Sequence, residues 1–193
     1  VELDWNKFEL AFDGDPDLNV YRNLTALPRA LVVHDASVAG GADAEGQAWA
    51  AVQDPAFDPA TEMVIEPGDA LLPAVAPAVG PESVRWLERS NNALALEVTA
   101  TAPGYLVLSE VWYPGWRAEI EVDGRVERQP VLRANSAFRA VPLWQAGTQV
   151  VRLRFDPMPW RIGLLAAGVA LAVLVVAGAV WAVRRRRRER VTG

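Results

Sequence analysis

Trp112, Tyr113, Trp116 and Arg117 gather around the turn signal Pro114-Gly115. Exposed aromatic rings offer flat apolar faces on which sugar rings can stack. These four are the candidate glycan-binding residues. Aromatic residues at this density equally suit corner packing in a β-sandwich, and the two readings stand side by side.

Other reactive types are sparse. His34 is the single histidine, at the end of an apolar run, with no Gly-x-Ser-x-Gly motif to accompany it. A strand-end histidine is the expectation. Asp13, Asp15 and Asp17 have the alternation of a calcium loop, but Leu18 stands where glycine is needed and Leu24 where a bidentate glutamate is needed. A solvated acidic turn is expected instead. There is no cysteine, which excludes disulfides, thiolate metal sites and cysteine nucleophiles. Glycine-rich phosphate motifs are missing. Carboxylates are plentiful, which keeps open an enzyme working through acidic residues. The residues therefore assign no catalytic group, no metal ligand and no cofactor. Asn23-Leu24-Thr25 matches the three-residue glycosylation acceptor pattern.

These residues must be positioned by the segments around them, which read as strands. Residues 93–100 alternate, and Pro103-Gly104 marks a turn before 105–110. Residues 116–122 place Trp116, Ala118, Ile120 and Val122 on one face. Asp123-Gly124 predicts a two-residue hairpin, because a type I′ turn needs positive φ at both positions. A return strand over 125–133 is expected, then strands at 138–143 and 149–155. Six or seven short strands in residues 83–156 predict a mainly β fold, an antiparallel β-sandwich. Residues 1–70 are less regular. They read as a smaller α+β part with short strands at 8–12, 18–22, 30–34 and 63–66. A helix is expected over 43–53, with Trp49 and Val52 inward. The Pro- and Ala-rich residues 71–82 read as an extended linker.

The net charge of −5 averages two unlike parts. Residues 161–193 carry seven arginines and one glutamate, and residues 1–160 carry a net charge of −11. An acidic body of that kind predicts no nucleic-acid partner. Residues 162–183 form an uncharged run of 22 residues. As a helix it measures about 33 Å, enough to cross a bilayer core. Trp160 and Trp181 flank it, and Arg184 to Arg188 follow at once. The run is expected to be a transmembrane helix. The arginines predict a cytoplasmic tail at 184–193 and an extracytoplasmic domain before it. The alternative is a buried core helix followed by an arginine patch for nucleic acid. Small residues recur four apart, as in Gly163/Ala167 and Gly178/Ala182, a spacing that lets helices approach in lipid. The first residues are no signal peptide, so either a leader was removed or a longer membrane protein precedes Val1.

An ordered set of short motifs spans nearly the whole chain: Tyr21-Arg22-Asn23, Ala26-Leu27-Pro28-Arg29-Ala30, Phe57-Asp58-Pro59, Tyr105-Leu106-Val107-Leu108-Ser109, Tyr113-Pro114-Gly115-Trp116-Arg117-Ala118, Val122-Asp123-Gly124 and Phe138-Arg139-Ala140-Val141-Pro142. Residues 146–150 and the lone terminal helix follow. Together they resemble the C-terminal region of the bacterial YfhO family of membrane proteins. Glu110 departs from the Asp expected before the aromatic pair, and Trp144-Gln145 from a usual proline. The resemblance implies the tail of a many-helix protein similar to GT-C glycosyltransferases. Those enzymes take sugar from a polyprenyl-phosphate carrier on the outer face of the membrane. In Gram-positive bacteria the family is linked to glycosylation of cell-wall polymers such as lipoteichoic acid. The catalytic carboxylate of that class lies in an early loop that no motif here matches, so no catalytic residue is carried over.

The expected role is a non-catalytic extracytoplasmic domain accessory to sugar transfer from a polyprenyl-phosphate carrier to a cell-envelope acceptor. Membrane lipid, upstream transmembrane helices of the same protein, and a glycan or polyprenyl-linked sugar are its expected partners. The competing expectation is a single-pass, membrane-anchored module that binds a glycan or a protein.

Overall fold

The computed structural model describes residues 4–15 and 17–189. The protein is mainly β. Strands β1 (Phe8–Asp15) and β2 (Leu18–Asn23) form a separate hairpin with its side chains largely exposed. The next elements are β3 (Ala30–Val33), β4 (Asp35–Val38), helix α1 (Ala44–Val52) and β5 (Glu62–Glu66). Then come β6 (Ser83–Arg89), β7 (Ala93–Ala100), β8 (Gly104–Leu108), β9 (Trp116–Val122) and β10 (Arg125–Gln129). The series ends with β11 (Leu132–Ala134), β12 (Phe138–Leu143), β13 (Gly147–Phe155) and helix α2 (Met158–Glu189).

Two sheets face each other. One has the order β10-β9-β13-β7-β6, the other β3-β8-β12-β11-β5-β4. Pairing is antiparallel except between β4 and β5. Alternation along the strands sends Leu94, Leu96 and Val98 of β7, Ile120 of β9, and Val151 and Leu153 of β13 inward. They meet Leu106 and Leu108 of β8 and Val141 and Leu143 of β12. Truncating a fully buried leucine in such a layer costs about 2–5 kcal/mol, the transfer free energy plus the cavity left behind.

The turn at Asp123-Gly124 has φ of 49° and 75°, with Val122 paired to Arg125, as the sequence predicts. The expected strand over 125–133 is broken. Pro130 has no N–H for the ladder, and beyond it the chain leaves β10 and enters the other sheet as β11. The β11–β12 turn places Asn135 and Ser136 at φ of 48° and 62°. Asn135 is buried, and its Oδ1 accepts from the Val64 N–H at 2.9 Å, while its own N–H donates to the Val64 carbonyl at 2.8 Å. A surface-type turn is thereby tied to β5.

Residues 30–66 do not stand apart from the sandwich. β3, β4 and β5 are strands of the six-stranded sheet, so the boundary expected at 71–82 does not separate two sheets. Nor is 71–82 a free linker. Leu72, with Ala70 just before it, packs on a second cluster of Val33, Met63, Ile65, Tyr105, Val107 and Leu132, on the outer side of that sheet. The Ala76 N–H donates to the Pro103 carbonyl, and the Val79 N–H to Thr101 Oγ1. Helix α1 covers Val64 on the opposite side of β5 through Ala48. Trp49, expected inward, is 60 % exposed, because the helix turns Ala48 toward Val64 and so carries its neighbour Trp49 off that face.

Helix α2 follows β13 after two residues. Met158–Ala179 is a 22-residue stretch of mean hydropathy 2.6, long and apolar enough to cross a membrane, and none of it is buried in the protein. A buried core helix is therefore not what the fold contains. The stretch overlaps the expected 162–183 and begins four residues earlier.

Candidate functional site

The segment carrying the four candidate residues crosses from β8 in one sheet to β9 in the other. It lies at the end of the sandwich where β13 stops and α2 starts. The crossing is clamped there. Gly115 has φ +115°, and a β-carbon on it would stand 2.9 Å from Pro157. The Asp156 N–H donates to the Gly115 carbonyl at 2.8 Å. Only glycine fits both the left-handed backbone and the close approach.

Trp112 is built into the scaffold. Its backbone N–H donates to the Ala137 carbonyl at 2.7 Å, and its indole Nε1–H to the Val131 carbonyl at 2.9 Å. Trp116 is half-buried against the sandwich core. The Arg139 guanidinium lies 3.7 Å from its ring centroid, and Phe155 is tilted against it at 5.4 Å. The face beneath Arg139 is thus occupied. Tyr113 is 62 % exposed and meets the Phe155 ring at 6.1 Å in an edge arrangement. Arg117 is exposed, and its Nη1 lies 3.4 Å from Asp156 Oδ2.

Tyr113, Trp116 and Arg117 line an open cleft of about 880 Å³, with Phe155, Asp156 and the helix start at Met158 to Trp160. Trp112 is not among its walls. Asp156 anchors the polar side, because Arg161 Nε donates to its Oδ1 at 2.7 Å while Arg117 flanks it. The arrangement offers an aromatic floor and a guanidinium–carboxylate rim. The sequence could not single out Phe155, Asp156 and Trp160 as partners, because they lie some 40 residues further along the chain.

Arg139 is only 6 % exposed. Its Nε donates to the Val111 carbonyl at 2.9 Å, and its Nη1 lies 3.7 Å from Glu110 Oε2. Burial pulls the guanidinium below its ordinary pKa, and Glu110 opposes that pull. Arg139 holds the underside of Trp116 and does not reach the cleft wall.

His34 has a structural setting. Its Nδ1 is 3.0 Å from the Pro103 carbonyl and its Nε2 3.0 Å from Glu82 Oε2. It staples β3 to the β7–β8 turn. Among the described residues no group of three or more His, Asp or Glu is placed to hold a metal ion.

No family model matches the chain, and neither does any curated protein or solved structure compared with it.

Proposed function

We propose that the chain is a non-catalytic extracytoplasmic domain of a YfhO-like membrane protein, accessory to sugar transfer from a polyprenyl-phosphate carrier to a cell-envelope acceptor. The observation that carries this reading is the position of the Tyr113–Trp116–Arg117 cleft. It opens where the apolar helix begins, which in a chain whose helix spans the bilayer would be the depth at which a lipid-linked sugar leaves the hydrocarbon and enters water. Tyr113 supplies the exposed ring and Arg117 the hydrogen-bond donors. The ordered motifs that resemble those of the family favour this reading, as does a helix long and apolar enough to span a membrane. Arg184 to Arg188 favour an orientation with the tail in the cytoplasm. Weak binding suffices, because tethering raises the effective concentration of the acceptor. The small residues on the helix would allow upstream helices of the same protein to pack closely.

The test is glycan-array binding by the full chain in lipid nanodiscs, with Tyr113→Ala and Arg117→Ala. Binding that both changes weaken supports the reading. No binding, or binding that neither change alters, removes the cleft as a glycan site. If glycan binding is seen but the reading frame upstream of Val1 encodes only a signal peptide, the single-pass binding module is the better description.

A further inference from the structure

Two arginine clusters stand on the end of the sandwich that adjoins α2. In the first, Glu110 is approached by Arg89 at 3.3 Å, Arg139 at 3.7 Å and Arg29 at 3.9 Å. In the second, Asp156 is shared by Arg161 and Arg117. Five guanidiniums thus face two carboxylates, and Glu88, Glu119, Arg152 and Arg154 add two charges of each sign at the margin. The strand registers put these groups at one end. Ala30 pairs with Leu108, Leu108 with Arg139, Arg89 with Leu94, and Phe155 with Trp116. Residues 1–160 nevertheless carry a net charge of −11, so most of the domain's negative charge lies elsewhere. These groups leave this end with excess positive charge although the domain as a whole is acidic.

We propose that this basic end is a docking face for anionic phospholipid headgroups, with Arg29 and Arg89 as its contact residues. Chain geometry selects the partner. The apolar stretch starts at Met158, three residues after β13 ends, so a spanning helix brings this end to the headgroup layer. Arg29 and Arg89 have side chains 61 % and 47 % exposed, and one carboxylate cannot neutralise three guanidiniums. Anionic headgroups attract this end and repel the acidic remainder, which sets the tilt of the sandwich on the membrane. Buried Arg139 adds charge without contact. The inference rests on the helix spanning the bilayer and is independent of any glycan in the cleft.

The chain has no cysteine, so one introduced thiol gives a unique label. Asn91→Cys, in the exposed β6–β7 turn at the basic end, would carry a donor fluorophore. Gln145→Cys, in the loop before β13, would mark the opposite end. The full chain is reconstituted into vesicles of phosphatidylcholine alone or mixed equally with phosphatidylglycerol, each with a headgroup-labelled acceptor lipid. Energy transfer from position 91 should rise in the anionic vesicles, and that from position 145 should not. Arg29→Gln with Arg89→Gln, or high salt, should abolish the rise. Tyr113→Ala should leave it intact, which separates this face from the glycan reading. Equal transfer in both lipids, or a rise that survives the double arginine change, overturns the proposal.

Discussion

Gly115 and Pro157 are packed so closely that a β-carbon on the glycine would stand 2.9 Å from both Cα and Cβ of the proline. One residue belongs to the β8–β9 crossing, the other to the two-residue link between β13 and α2. Their contact joins the aromatic cleft to the start of the apolar helix.

Gly115→Ala should therefore damage the junction twice, by forcing a side chain to φ +115° and by pushing on backbone that cannot yield cheaply. A loss of about 1–3 kcal/mol is expected. Thermal unfolding of the full chain in detergent measures it, and a variant as stable as the parent would show that the contact contributes little.

Asn135 replaces a missing strand neighbour for Val64. Asn135→Ala leaves a buried N–H without its acceptor and keeps a left-handed backbone, so about 2 kcal/mol should be lost. Asn135→Gly relieves the backbone alone and should recover only part of that loss. Denaturant titration of the three proteins separates the two effects.

Glu82 predicts the acid limb of stability. Burial would raise its pKa, but the Thr101 N–H, His34 and the Thr101 hydroxyl outweigh burial and hold it below the ordinary 4.5. A carboxyl depressed in the folded state contributes stability that is complete above its unfolded pKa. That stability is lost as pH falls through the lower folded value. Glu82→Gln should be less stable than the parent at neutral pH, and the gap should narrow below pH ~4. A gap that stays constant with pH would assign the loss to packing.

Orientation is open to direct measurement in cells. With the arginine tail held inside, a membrane-impermeant thiol reagent should label Asn91→Cys on intact cells and reach Thr192→Cys only after lysis. The reverse pattern would invert the topology and remove the extracytoplasmic role.

Local signals in the sequence match the elements they predict. Alternation located β7 and β9, Asp123-Gly124 located the hairpin between β9 and β10, and hydropathy located the apolar part of α2. Pairings over long distances were not legible. Nothing near Met63 or Ile65 announces that β5 pairs with β11, far along the chain where Ala134 meets Ile65, so residues 30–66 read as a separate part when they belong to the sandwich. Trp112 and Trp116 show the same limit at the site. Their types suited either packing or binding, and only the carbonyl of Val131 and the guanidinium of Arg139 show how far packing claims them.

β13 runs almost directly into the apolar helix α2 and lies between β7 and β9, hydrogen-bonded to both. A pull on α2 therefore enters the domain through an interior strand, and extracting that strand means shearing two ladders together. Any load reaching the domain through α2 would be spread across the middle of the five-stranded sheet before a peripheral strand could peel away.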